Sequence, residues 1–529
     1  MSEDQRTPMR RRDLLALIGA ASGGATMYQA MTTLGFAAES SYAGPIRLQG
    51  DPKGASVVIL GAGLAGLVAA IELKRAGYRV QVLESEARAG GRSRTIRGGD
   101  TISEIDGTTQ RCEFDRDLYF NPGPWRIPYH HKAILDYCKR FGVRLEPFIQ
   151  VNHNAYVHAR GAFNGRPQRF RHVQADFNGY VGELLAKATN RNRLDDTVTT
   201  EDKERLLQAL QRWGALDDNY AYVRGPLSSE RRGYDKDPGG GLSAEPLYSQ
   251  PIDLSDILKV GLWTTFGSRG EYDYQMTMFQ PAGGMDMIAR ALAREAGGVI
   301  RFGSKVTSIR QDATGVTVSF EDARQRGTQT ARADWCLCTI PLPVLSRIPL
   351  NVGRPMQSAI AAIRYTGAVK VGLQFKRRFW EEDEAIYGGI TFTDLPIRQL
   401  SYPSADLHGS GKGVLLGAYP GGFTNEFIGL TPADRIKRTL EYGAMIHPQY
   451  LREFETGVSV AWSRMPSAQG AFGTWSEQAL VEHYDNLCAI DGRVLLAGDF
   501  ASALPAWQEG AILSALDAIT RLHRRIIAG

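Results

Sequence analysis

ASVVILGAGLAGLVAAIELKRAGYRVQVLESEARAGGRSR, Ala55 to Arg94, is the stretch whose reading decides the fold. Ser56 to Leu60 is a short apolar run of mostly β-branched residues, the pattern of a buried parallel strand, and it stops at Gly61-Ala62-Gly63-Leu64-Ala65-Gly66. In such a strand–turn–helix unit the first two glycines permit a tight turn and close approach of backbone to a pyrophosphate. The third lets the helix pack on the strand, and the helix start at Leu64 and Ala65 offers unpaired N–H groups to the anion. Leu64 to Ala76 reads as that helix, with Gly77 at its C-terminal stop.

A second strand, Arg79 to Leu83, ends at Glu84 and Ser85, and Glu84 is placed to accept from both ribose hydroxyls of an adenosine. A 2′-phosphate would be repelled there. Gly90-Gly91-Arg92 then adds a second glycine turn ending in a guanidinium, a further pyrophosphate contact that a simple nicotinamide site does not require. Strand, helix, acid and Gly-Gly-Arg in register resemble the large flavoprotein family that includes monoamine oxidases and L-amino acid oxidases. The resemblance implies FAD.

The chain has 529 residues, too many for one core, so two or three domains are expected. Its 43% hydrophobic and 22% charged content is that of an ordinary globular protein, and a net charge of +5 without a basic, aromatic-laced cluster gives no reason to expect nucleic acid. The five cysteines lack disulfide-like or zinc-like spacing, and Cys336-Leu337-Cys338 reads as buried strand. Nine histidines, including the adjacent His130-His131, show no HxxxH or HxH spacing, so no metal is expected.

Residues 1–40 read as a leader outside the fold. Arg10-Arg11-Arg12-Asp13-Leu14-Leu15 resembles a twin-arginine export signal, followed by a Gly/Ala-rich, moderately apolar region and small residues at Gly35 and Ala37 that could fit a peptidase. A protein that folds around FAD in the cytoplasm suits a route for folded cargo. The expectation is a periplasmic or secreted protein, with an uncleaved membrane anchor as the alternative.

Tyr119-Phe120-Asn121-Pro122-Gly123-Pro124-Trp125-Arg126-Ile127-Pro128 is a loop whose three prolines constrain the backbone around one arginine. Taken locally, Arg126 is equally a surface arginine. The Gly-Pro-x-Arg-Ile-Pro segment is similar to the L-amino acid oxidase loop whose arginine grips the substrate carboxylate, a match a guanidinium fork makes well. His131 to Phe141 follows with helical spacing.

From Asn152 to Phe279 helical-looking stretches, Phe177 to Ala188 and Glu201 to Gly214, alternate with polar and Gly/Pro-rich segments. Of the aromatics there, Trp213, Tyr220, Tyr222, Trp263, Tyr272, Tyr274 and Phe279 are more often core than pocket, with some expected at a substrate entrance. Met278 to Met285 returns the chain to the cofactor domain and opens a helix to Ala296. Strands are expected near Val299 to Phe302, at Val316 to Phe320 and at Asp334 to Ile340. In the family a valine at the place of Val306 meets the adenine.

Ala368 to Phe375 alternates apolar and polar, a half-buried strand with Lys370 locally on its wet face. VKVGLQFKRRFWEED is nonetheless similar to the segment in which a family lysine holds a water against flavin N5. Gly413 to Tyr419 is another strand, and Tyr419 matches the tyrosine that shares the carboxylate with the arginine; a buried aromatic with a satisfied hydroxyl is the plain alternative. Gly492 to Asp499, then Ala506-Trp507-Gln508-Glu509-Gly510-Ala511 and a helix to Arg525, resemble the second FAD motif. The family often has Glu-His where this chain has Asp499-Phe500. Gln469 to Trp475, QGAFGTW, lacks the flavin-linking cysteine of monoamine oxidases, so noncovalent FAD is implied.

The expected fold is α/β: a Rossmann-like FAD-binding domain of the glutathione-reductase type at residues 55–108, 279–360 and 488–529. A mixed-sheet substrate domain at 109–165 and 361–487 interleaves with it, and a helical insertion fills 166–278. The resemblance implies FAD-dependent oxidation of L-amino acids by oxygen to 2-oxo acids, ammonia and hydrogen peroxide, in a homodimer. Arg126 and Tyr419 would fix the carboxylate, the Ala506 carbonyl would receive the amine, Trp507 would wall the site, and Lys370 would be catalytic. Implied cofactor contacts are Gly61, Gly63, Leu64, Ala65, Gly66, Glu84, Ser85, Gly91, Arg92, Gly123, Pro124, Trp125, Arg126, Val306, Asp499, Trp507, Gln508, Glu509, Gly510 and Ala511. An amino acid 2-monooxygenase, a carboxylate-free amine oxidase and a non-catalytic flavin-bearing electron-transfer partner are the alternatives.

Overall fold

The computed structural model describes residues 40–191, 199–262, 271–422 and 425–528. Arg10-Arg11-Arg12 and Trp263 lie outside the described residues. Ser56–Leu60 is the central strand of a five-stranded parallel sheet, ordered Ile300–Arg301, Arg79–Leu83, Ser56–Leu60, Trp335–Cys338, Val494–Leu496. Its side chains divide between two cores. Val57 and Ile59 pack with the helices Leu64–Arg75, Asp286–Ala296 and Gln508–Ile527. Val58 and Leu60 face the antiparallel meander Ser304–Gln311, Val316–Asp322, Gln325–Ala333. A strand buried on both faces has to be apolar throughout, which is why it reads as an unbroken run. Cys336 and Cys338 are buried strand residues, as expected.

The second large sheet is mixed and seven-stranded, ordered Gln168–Arg169, Tyr156–His158, Ile390–Thr393, Gln399–Ser401, Gly413–Ala418, Val369–Phe375, Phe454–Ala461. Tyr156–His158 runs parallel to Ile390–Thr393, and the other neighbours are antiparallel. Val369–Phe375 departs from the half-wet strand its alternation predicts: all seven residues are buried, and Lys370 is 2% exposed. The polar face is covered by the loop that precedes Arg126. Phe120 lies against Gly372, and Gln374 accepts from the Asp115 backbone N–H at 2.8 Å.

A three-stranded sheet joins the loop of Arg126 to the chain returning from the insertion: Met278–Pro281 pairs with both Ile127–Pro128 and Leu145–Phe148. The insertion is helical, with Phe170–Asn190, Thr200–Gly214, Pro226–Arg232 and Leu254–Leu258. Its first helix begins seven residues before the expected Phe177, because Phe170 and Val173 are anchored in a core with Val157 and Ala159. A buried Arg232–Asp176 ion pair, to which Tyr222 donates at 2.6 Å, ties the helices together.

Candidate active site

A cavity of about 1500 Å³ runs from the first glycine turn to Lys370, Tyr419 and Trp507. Clefts for one small ligand measure roughly 300–1,000 Å³, so this one has room for a dinucleotide and a substrate. Gly61, Gly63, Leu64 and Ala65 line one stretch of it. Gly61 sits at φ +101°, which a glycine adopts freely, and space around Gly63 is open. Gly66 does not line the cavity. A Cβ there would run into the Gly61 carbonyl oxygen, so its role is the close helix–strand packing expected of the third glycine.

Glu84 and Ser85 line the same stretch, with Val306. The Glu84 carboxylate accepts from the backbone N–H groups of Ala62 at 2.6 Å and Glu86 at 2.8 Å, which fixes its position. Burial raises its pKa from the ordinary carboxylate value, and those N–H groups oppose the shift. Gly91, Arg92 and Asp499 follow along the wall. The Arg92 fork is bidentate to Asp499, with the longer contact at 3.0 Å, and also donates to the Ala471 carbonyl at 2.7 Å. Two residues expected as separate cofactor contacts are therefore one ion pair.

Trp507 is the N-cap of the helix Gln508–Ile527, whose first turn has no side-chain cap, and Gln508 and Ala511 line the cavity. Such a helix start is a fixed positive end for charge on a bound group. Ala506 takes φ +70°, in the left-handed region that non-glycine residues adopt uncommonly. Glu509 and Gly510 do not line the cavity, contrary to expectation. Glu509 is fully buried and accepts from Ser40 Oγ and from the N–H groups of Ala133 and Ile134, both at 2.9 Å, so it caps the helix Lys132–Arg140. Gly510 packs where a Cβ would strike the Leu504 carbonyl.

Gly123, Pro124, Trp125 and Arg126 line the far part of the cavity beside Lys370 and Tyr419. Trp125 and Tyr419 meet edge-on at 5.6 Å between ring centres, and Lys370 Nζ lies 4.4 Å and 4.5 Å from those two centres. The amine donates to the Gly123 carbonyl at 2.5 Å. Burial, and then the charge of Arg126, push Lys370 well below the ordinary lysine pKa, so it is held towards its neutral form.

Arg126 sits between aromatic faces, with its guanidinium carbon 5.0 Å from the Trp125 ring centre and 4.9 Å from that of Tyr274. Its Nε and Nη1 are buried and have no hydrogen-bond partner. Buried guanidinium nitrogens are ordinarily paired, so two unpaired ones inside a cavity mark a place for an anion.

Sequence reasoning left Tyr274 undecided among seven aromatics. It lines the cavity and stands 6.1 Å from Trp507. Of the others, Trp213 is 48% exposed on the insertion and Tyr222 is core. His131 was missed. It lines the cavity edge-on to Trp507 at 4.9 Å, and its neighbour His130 bonds Asp273 at 2.7 Å, a residue far along the chain that no local spacing could reveal.

The glycine cradle, the fixed acid at a strand end and the open helix start fit a flavin dinucleotide. The family model of the flavin containing amine oxidoreductases matches residues 64–522. The chain is 29% identical over 497 residues to YobN of Bacillus subtilis (strain 168), provisionally named an L-amino-acid oxidase, covering 88% of this chain and 94% of that one. It is 28% identical over 478 residues to the L-amino-acid oxidase of Siganus canaliculatus, covering 89% and 86%. Among solved structures, putrescine oxidase bound to putrescine matches with a TM-score of 0.55 at 18% identity over 90% of this chain and 99% of that one, a likeness of fold. Fold, cavity and family match agree, and the chain belongs to the flavin-containing amine oxidoreductases.

Proposed function

We propose that the protein is an FAD-dependent L-amino acid oxidase, which turns an L-amino acid, oxygen and water into a 2-oxo acid, ammonia and hydrogen peroxide. The observation that carries this reading is Arg126, whose Nε and Nη1 are buried without a partner beside Lys370, Tyr419 and Trp507. A substrate carboxylate supplies the two acceptor oxygens that a guanidinium fork matches.

With the carboxylate held by Arg126 and Tyr419 and the amine received by the Ala506 carbonyl, the substrate has one orientation, and its Cα–H has one presentation. Such orientation supplies several kcal/mol of a barrier, up to about 7–11 in the best cases. Trp507 and Tyr419 wall the site against water. Lys370 Nζ, held towards neutrality and donating to Gly123, keeps a further N–H and a lone pair with which to fix one water. FAD, bound noncovalently, supplies the hydride-accepting and oxygen-reducing chemistry.

A peroxide-coupled screen of the twenty L-amino acids, with the carbon product identified, tests the reading. Keto acid and peroxide in step are expected. Amide as the main product moves the protein to the amino acid monooxygenases, and faster oxidation of decarboxylated amines removes the carboxylate clamp. A holoprotein whose flavin neither amino acids nor their decarboxylated amines bleach without oxygen leaves only an electron-transfer role. Acid precipitation that frees all the flavin fits noncovalent binding. The twin-arginine-like leader supports export of the loaded protein, which fractionation of expressing cells reads directly.

A further inference from the structure

His130 and His131 meet Asp273, from the turn after the helical insertion, and the three offer metal-ligating atoms that all lie within 4.8 Å of one another. All are buried, at 3%, 1% and 6% exposure. Asp273 Oδ1 lies 2.7 Å from His130 Nε2 and 4.0 Å from His131 Nε2. A zinc-type ion takes imidazole nitrogen at about 2.0–2.1 Å and carboxylate oxygen at about 2.0–2.2 Å, so its tetrahedral ligands stand roughly 3.3–3.5 Å apart. The two Asp273 separations straddle that value, and since no pair of ligand atoms is wider than 4.8 Å, side-chain shifts of up to about 1.4 Å bring all three to it.

A second observation points to a ligand. His131 Nε2 is buried and has no hydrogen-bond partner, whereas buried ring nitrogens are ordinarily paired. His131 Nε2 faces the Asp273 oxygen across the gap an ion would span. Among the described residues no Arg or Lys forms an ion pair with Asp273. Asp273, His131 and Glu271 line the cavity, which gives the ion a path in.

We propose that His130, His131 and Asp273 bind one divalent cation of the zinc class, with a fourth position open to the substrate cavity, and that its binding stops turnover. Coordination breaks the His130–Asp273 hydrogen bond and draws His131 and Asp273 towards the ion. His131 abuts Trp507, and Asp273 adjoins Tyr274 beneath Arg126, so both walls of the substrate site move. The ion also competes with Arg126 for a substrate carboxylate. This second half rests on the oxidase reading; the binding itself does not.

The test uses tag-free holoprotein, treated with chelator, dialysed and titrated with Co²⁺. Four-coordinate Co²⁺ absorbs at longer wavelengths than oxidised flavin, so its bands read occupancy directly. One saturating equivalent is expected, displaced by Zn²⁺, with oxygen uptake on an amino acid falling in proportion. His131→Asn and, separately, Asp273→Asn, each with wild-type flavin content, should weaken Co²⁺ binding by more than the roughly 10–100-fold that loss of a mere supporting residue causes. Absence of a one-equivalent band in the wild type, or bands undiminished in both variants, overturns the site. Full occupancy with undiminished oxygen uptake overturns the inhibition. A protein that oxidises no amino acid still reports binding through Co²⁺, so failure of the oxidase reading is told apart from failure of this one.

Discussion

The guanidinium carbon of Arg126 lies 4.9 Å from the centre of the Tyr274 ring, so a residue from the end of the helical insertion reaches the group proposed to hold the substrate. Arg126→Ala should raise KM for amino acids by about 100-fold or more, since two hydrogen bonds to a charged group contribute roughly 1.5–3 kcal/mol each. Flavin content should not change. Tyr274→Phe, which keeps the ring, should shift KM far less than Tyr274→Ala. Steady-state kinetics on one good substrate decides both, and an Arg126→Ala enzyme with wild-type KM would falsify the clamp.

Burial, and then the charge of Arg126, hold Lys370 well below the ordinary lysine pKa. Its folded pKa lies well below the unfolded value, so below the usual lysine range the unfolded chain binds a proton that the folded chain resists. Stability therefore falls as pH drops from the unfolded pKa towards the folded one, and rises with pH across that window. Lys370→Met should flatten the dependence, with a Tm no lower than wild type near neutral pH. In rapid-mixing experiments the same variant should slow flavin reoxidation more than reduction. Equal slowing of both half-reactions removes the role assigned to the amine.

Arg92 and Asp499 join the first glycine-rich segment to the last strand of the same sheet. Removing one partner of a buried pair costs about 3–5 kcal/mol, and Arg92, with its side chain 24% exposed, belongs at the low end. Arg92→Ala should therefore lower both Tm and flavin content. Asp499→Asn should do less, because an amide still accepts from the guanidinium. The double variant Arg92→Ala/Asp499→Ala should lose less than the sum of the singles, which a double-mutant cycle by chemical unfolding measures.

At Gly66 a single methyl group has nowhere to go, because it meets the Gly61 carbonyl. Gly66→Ala should cost roughly 1–3 kcal/mol through overpacking and open the turn, releasing flavin. Gly63→Ala, with open space around it, should fold normally and weaken flavin alone. Absorbance ratio and thermal unfolding separate the two. Equal stability in both would contradict the division of labour between these glycines.

The parallel sheet was legible because Ser56 to Leu60, the glycine turn and Glu84 are contiguous and locally consistent. Arg126, Lys370 and Tyr419 were legible through resemblance alone: alternation put Lys370 on a wet face, and only the long-range covering of that face by the Phe120 loop buries it. Glu509 sat inside a motif, yet its carboxylate is engaged with a helix 376 residues away in sequence. The meeting of His130 with Asp273, across 143 residues, is equally invisible to spacing. What sequence order hides is which distant segments share a surface.

The parallel sheet takes its edge strand from Val494–Leu496 and one covering helix from Gln508–Ile527. During synthesis, the first glycine turn emerges long before either of these. Until they arrive, Ile59 and Leu337 have no complete core to join, and a half-finished layer is open to chaperones and proteases. Cells starved of riboflavin should accumulate a full-length but protease-sensitive product instead of stalled fragments, which limited proteolysis of cell extracts reads.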